Sequence, residues 1–580
     1  AVRLYGRYRQ RYPNDVDRNL TGEYRIFVKD FEALPKEAPE GDLGRLLSRF
    51  KSIRSRAKGH IEVDRFYEAA LRFRIAEIHF EAYKRIRFVK DVERSLKDKT
   101  RALKALTQEF IAIAELGFKD FRTAAGYRVG AVQEDFFRAL MDSPVPKELT
   151  DPEEAAMYRN ILAQKAEPYR KEAVLAYEAL VEQAAGKATH DKWTAKALIK
   201  LAVLDPLHHQ PLEMEIEIAA RPVRSFDAEP EIMLDKEVPF AQRLTGAPLA
   251  ALERRFDAAL ATFEGNRDAP AAARDQFLTM LDTGADYPSI DYNIGMLFQL
   301  DGNLRLAEQY YRRALALAPA WDRPLVNLGA LLVDAKRCDE APRPLERATE
   351  AAGAKDRAYL NWGRALECLG DDQGAAAIYD IAYALPYPTA PLLLARGELA
   401  YRTGDRDKAS ESFQKILTAE LPDPAVVMAL AKFFEEQGEA KAAEVAYRRA
   451  IEEPTTTVVA GNGLGLMFRR AGAFQKAREA YYKALERDSR AAAVHNNLGV
   501  LAAIEGKSKL ALTNYEKALT IQPNLTEALF NVGILYELHL EQPKLAEPYY
   551  QRYLDAGGTR LDHIKGLAEI REEEPVGDGS

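Results

Sequence analysis

The chain has 580 residues and a formal net charge of −7, from 82 Lys and Arg against 89 Asp and Glu. Apolar residues make up 47% and charged residues 29%, which suits a folded chain of several domains and excludes a mainly disordered one. No run approaches the ~18 apolar residues of a membrane span, the charge balance gives no field for nucleic acid, and two cysteines are too few for a disulfide framework or a structural zinc site.

Residues 1–40 carry Pro13, Pro35 and Pro39 and no sustained period, which predicts an extended N-terminal arm. Residues 41–206 read as diverged helical hairpins, with helices at about 43–57, 62–96, 99–117, 120–141, 152–184 and 189–204. In the second of these, Phe66, Ala69, Phe73, Ala76, Phe80 and Tyr83 form one apolar stripe. Residues 1–100 hold 24 Lys and Arg against 16 Asp and Glu, and Lys84, Arg85 and Arg87 make a basic cluster. That cluster reads either as a solvated helix face or as a contact for an acidic partner. Residues 207–247 form a linker in which Pro211, Pro222, Pro230 and Pro239 prevent a long helix. Within it, 212–218 alternates apolar and acidic residues with period two, as an extended strand does. Two readings stand: a connector packed on the repeats, or a short hairpin that pairs with a partner's strand.

Residues 248–288 form a degenerate leading hairpin, with Ala273 and Phe277 placed 34 residues before Ala307 and Tyr311. A 34-residue period then runs through 289–556 in eight copies. A small residue recurs as Gly295, Gly329, Gly363, Gly397, Ala431, Gly465, Gly499 and Gly533. Twelve residues later comes Ala307, Ala341, Ala375, Ala409, Ala443, Ala477 and Ala511, with the eighth, Ala546, one residue late. Four further on stands a ring or Leu, as in Tyr311, Leu345, Tyr379, Phe413 and Tyr515. Offsets of 3, 4 and 7 share a helix face, and the small residue lets two antiparallel helices approach while the ring fills the space beside them. One such hairpin cannot bury its apolar face alone, so hairpins stack. Residues 557–573 read as a capping helix after Gly557 and Gly558, and 574–580 as a flexible tail.

This pattern resembles the tetratricopeptide repeat (TPR) superfamily, with Leu328–Gly329, Leu464–Gly465 and Leu498–Gly499 matching its helix A signature and Pro319 and Pro523 its closing proline. The resemblance implies an all-α, right-handed superhelical solenoid preceded by the diverged hairpins. Residues 119–206, through Pro144, Pro146, Tyr158, Ala166, Pro168 and Trp193, resemble the N-terminal region of myxobacterial-type cell-envelope TPR proteins, some of gliding-motility complexes. That resemblance implies a scaffold in the periplasm or cell envelope; a cytoplasmic subunit that recruits or regulates an enzyme is the alternative.

Signals for chemistry are weak. Asp282–Thr283–Gly284 matches an aspartic-protease triplet, but that chemistry needs two such loops sharing a proton. Gly461, Gly463 and Gly465 look like a phosphate loop, yet Gly465 fills the repeat's small position. His208 and His209 have no third metal ligand at useful spacing. The expectation is a chain that is not an enzyme, with no catalytic, metal or cofactor site and with proteins or peptide segments as partners. The resemblance places helix A on the concave groove, with candidate partner contacts at Tyr292, Met296, Arg364, Glu367, Glu398, Tyr401, Lys432, Glu435, Asn462, Arg469 and Asn496. Asn293, Asn327, Asn361, Asn497 and Asn531 recur two residues before the small position, but the lysines of a carboxylate clamp are missing. Cys338 and Cys368 fall at the same edge of neighbouring hairpins, so they form either a disulfide or two reduced thiols.

Overall fold

The computed structural model describes every residue except 1, 89–91, 147–148, 186–190, 221–222, 224–246, 268, 282–286, 352–354 and 561–580. The predicted capping helix and tail, most of the linker and the Asp282 triplet therefore lie largely or wholly outside the described residues. Among the described residues every regular element is a helix, and none is long and apolar enough to cross a membrane. The fold divides into two units: Ala1–Glu217 with Gly465–Tyr481 and Arg490–Ser580, and Ile218–Leu464 with Tyr482–Ser489.

The first unit opens on α1 (Val2–Arg11) and α2 (Val16–Glu32), which corrects the expected extended arm. Pro13 and Pro35 lie outside the helices they were expected to prevent. The Asp15 carboxylate caps α2 by accepting from the Arg18 N–H at 3.2 Å, and Phe27 is buried with its ring 5.3 Å from that of Phe50. Six more helices follow: α3 (Glu40–Ala57), α4 (Phe66–Lys84), α5 (Val92–Ala114), α6 (Lys119–Met141), α7 (Pro152–Ala185) and α8 (Lys192–Leu204). The predicted helix over 62–96 ends at Lys84 instead. The cause lies on α5: Lys99 Nζ donates to the Tyr83 and Ile86 carbonyls at 3.2 and 3.1 Å and pairs with Asp135 at 2.6 Å. A buried ammonium thus satisfies carbonyls that the continuing helix would have used. In the basic cluster, Lys84 pairs with Glu81 at 2.6 Å while Arg85 and Arg87 are exposed.

Eight hairpins carry the 34-residue period. Their A helices are Pro288–Leu300, Asp322–Asp334, Lys355–Cys368, Ala390–Thr403, Pro424–Glu436, Thr457–Arg470, Ala492–Ile504 and Thr526–Ile534. Their B helices are Leu304–Leu317, Pro342–Glu350, Asp372–Tyr383, Arg406–Thr418, Ala440–Ile451, Phe474–Arg487, Ser508–Ile521 and Pro543–Asp555. In each of the first four and last three, the B-helix ring or Leu packs on the helix A glycine so closely that a Cβ there would overlap it. Repeat five carries Ala431 at that position, and its ring, Tyr447, presses instead toward Gly463 of the next A helix, where a Cβ would sit 2.8 Å away. The turn between A and B needs a left-handed residue, supplied by glycine in six repeats and by Lys336 (φ 60°) and Glu541 (φ 55°) in the other two.

The eighth repeat is longer by one residue because helix A passes into a π-helical turn over Leu535–His539. That turn absorbs the extra residue and returns Ala546 and Tyr550 to buried positions, which accounts for the late alanine. In the second unit, the helices Ala247–Gly265 and Ala271–Met280 precede the repeats and join their core, with the Phe256 and Phe277 rings 4.9 Å apart edge to face. Cys338 and Cys368 form a disulfide with Cα atoms 6.0 Å apart.

Candidate functional site

The A helices of repeats two to five, all in the second unit, present a row of charged side chains. Arg364 is half-buried and interacts with both Asp334 and Glu398, which flank it on the neighbouring A helices. Burial pushes the Glu398 carboxyl up to about 7, against the opposing pull of Arg364, while the Glu367 carboxylate adds to the rise. Glu398 therefore changes charge near neutrality. Glu367 accepts a 2.5 Å hydrogen bond from the Tyr379 hydroxyl and a 2.9 Å one from Arg402. Glu435 likewise accepts from Tyr447 at 2.6 Å, and Gln299 from Tyr311 at 2.7 Å. In repeats one, three and five the position four after the small residue thus braces the B-helix tyrosine of its own repeat. Tyr401 donates to Glu439 at 2.9 Å and carries the Arg406 guanidinium 3.6 Å over its ring.

Five of the expected groove contacts, Tyr292, Met296, Asn462, Arg469 and Asn496, are corrected because they are buried. Tyr292 and Met296 are fully buried in the core, Tyr292 against Tyr311 and Trp321, and so are not presented to a partner. Apolar side chains at those offsets are absorbed by packing between successive A helices. Arg364, Glu367, Glu398, Tyr401, Lys432 and Glu435 stay partly exposed, while Asn462 is buried.

In the first unit the helix A face of repeats six to eight is already covered. Residues 212–217 run along it without helical structure, and their contacts alternate as the sequence does. Asn531 Oδ1 accepts from the Met214 N–H at 2.7 Å, and its Nδ2 donates to the Met214 carbonyl at 2.9 Å. Asn497 does the same to Ile216, at 2.8 Å in both directions. Asn496 adds a 2.8 Å bond to the Met214 carbonyl. Each side-chain amide thus pairs with one residue of the segment at alternate positions, as a neighbouring strand would. The acidic side chains are matched as well. Glu215 takes both arms of Arg469, which is fully buried, with Nε at 2.8 Å from Oε1. Glu213 faces His539 at 2.8 Å, and Arg560 caps the Leu212 carbonyl at 2.8 Å. Leu212 and Met214 pack with Leu529, Phe530 and Ile534, and Ile216 with Ala492, Leu525 and Ala528.

Arg469 and Asn496, expected to face a partner, thus hold the chain's own segment. The recurring asparagines and the alternation of 212–218 are each visible in the sequence, but their pairing is not. Nor does the sequence mark Asn497 and Asn531 as backbone ligands of that segment, or His539 and Arg560 as its partners. The other motifs resolve as structure: His208 pairs with Asp205 at 2.9 Å, His209 with Glu178 at 2.9 Å, and Gly463 and Gly465 each back a tyrosine ring.

The family model described as tetratricopeptide repeat matches residues 394–456 and 462–526, and a second of the same description matches 292–320. No curated protein matches the chain. Among solved structures, that of MamA is 23% identical over 28% of this chain and 94% of its own, with a TM-score of 0.24. Pseudomonas aeruginosa PilF is 16% identical over 35% of this chain and 91% of its own, with a TM-score of 0.30. Yeast Tom70 is 12% identical over 92% of this chain and 97% of its own, with a TM-score of 0.37.

Proposed function

We propose that this chain, a tetratricopeptide-repeat protein, is a non-catalytic scaffold that gathers protein partners on the helix A face of its repeats and helps build a multiprotein complex of the bacterial cell envelope, a motility assembly among them. The observation that carries the reading is the row Arg364, Glu398 and Lys432, half-buried on three successive A helices. Partly desolvated charges of alternating sign give a partner segment electrostatic register at modest desolvation cost. The envelope is favoured by the Cys338–Cys368 disulfide, since such bonds persist in oxidising compartments. It is favoured also by the resemblance of residues 119–206 to cell-envelope TPR proteins.

The test reverses two charges. Partners are captured by crosslinking from the source cells and their affinities measured against the wild-type chain and the Arg364→Glu/Lys432→Glu variant. A partner that places acidic groups on this row loses at least tenfold in affinity, and the loss shrinks in high salt. Unchanged affinity for every captured partner would move binding off this row.

A further inference from the structure

The helix A face of repeats six to eight is occupied by the chain's own residues 212–217. We infer that it is a receptor for an extended peptide of alternating aliphatic and acidic residues, and that Leu212–Ile216 is a tethered internal ligand which a partner segment of the same chemistry displaces. The inference deepens the scaffold reading by naming a ligand class for one part of the helix A face.

Three features make this a ligand geometry rather than ordinary loop packing. The backbone of Met214 and Ile216 is read in both directions by Asn531 and Asn497, so main-chain recognition is independent of side-chain identity. The side chains are sorted by type, with Leu212, Met214 and Ile216 in apolar contacts and Glu213 and Glu215 against His539 and Arg469. Arg469 is fully buried, so without an acidic residue at this place it would be a buried charge lacking its ion pair. The groove is therefore built for occupation by an acidic strand. A tether holds the internal copy at an effective concentration on the order of millimolar, so a competitor must bind well or be locally concentrated.

The probe is a fluorescein-labelled peptide of residues 210–217, added in trans to the full chain and followed by anisotropy. The intact chain binds it weakly, because its own segment fills the groove. Glu213→Ala/Glu215→Ala in the chain weakens the internal copy and raises affinity for the added peptide at least tenfold. Adding Asn497→Ala/Asn531→Ala removes that gain. A peptide with Gln in place of Glu213, Glu215 and Glu217 binds at least tenfold more weakly than the native peptide. No gain in the Glu213→Ala/Glu215→Ala chain, or a gain that survives loss of both asparagines, overturns the inference. So does loss of cooperative melting in the Glu213→Ala/Glu215→Ala chain, which would make the segment a structural strut. The intact chain supplies an independent readout: millimolar peptide should speed hydrogen exchange of the Met214 and Ile216 amides, and unchanged exchange contradicts displacement. Failure of the Arg364 and Lys432 test leaves all of these outcomes unaffected, because those residues belong to other repeats.

Discussion

Reducing the Cys338–Cys368 disulfide lowers the stability of the second unit by about 3–4 kcal/mol, the chain-entropy value for a loop of this length. The bond closes a separation of 30 residues and joins the turn before one hairpin's B helix to the end of the next hairpin's A helix. It thus fixes one hairpin against its neighbour, the interface on which a repeat array depends. Cys368 is exposed, so reductant has access without prior unfolding. The measurement is thermal or denaturant unfolding with and without reductant, beside the Cys338→Ser/Cys368→Ser variant. Both treatments should lower the midpoint to a similar degree. A midpoint indifferent to reductant would mean that the thiols are not joined in solution.

Gly363→Ala costs about 2–3 kcal/mol, because its new methyl group would overlap the buried Tyr379 ring. Repeat five shows how the fold tolerates a methyl at this position: Ala431 is accepted where Tyr447 has Gly463 beside it on the following A helix. The equivalent of Gly463 next to Tyr379 is Ala395, which is buried. Gly363→Ala/Ala395→Gly should therefore recover part of the loss. Gly44→Ala, within α3 and with open space around it, should instead be neutral or stabilising by up to about 1 kcal/mol. Equal midpoints for Gly363→Ala and Gly44→Ala would refute the glycine–ring register. Failure of Ala395→Gly to recover anything would show that the Tyr379 ring has no room to move.

The repeats were legible because their determinants are local: a small residue, an alanine and a ring at helical offsets within each 34 residues. The closeness of Cys338 and Cys368 follows from the same period, but their joining in a disulfide does not. Pro13 and Pro35 signal an extended arm, but Asp15 between them caps a helix that Phe27 anchors. The end of α4 was illegible because Lys99, which takes its terminal carbonyls, lies beyond the break. At the candidate site, the asparagines and the alternating segment were each visible. Their meeting was not, since Met214 and Asn531 are 317 residues apart and nothing local to either specifies the other. The burial of Tyr292 and Met296 is not legible locally, because an apolar residue on helix A has the same signature whether it faces a partner or packs on the next hairpin.

The most direct measurement is hydrogen exchange at the Met214 and Ile216 amides in the full chain under native conditions. If asparagine side chains on successive A helices hold an extended segment, both amides exchange at least a hundredfold more slowly than an unstructured peptide, and Asn531→Ala speeds Met214 more than Ile216. Exchange of both at the unstructured rate would contradict it.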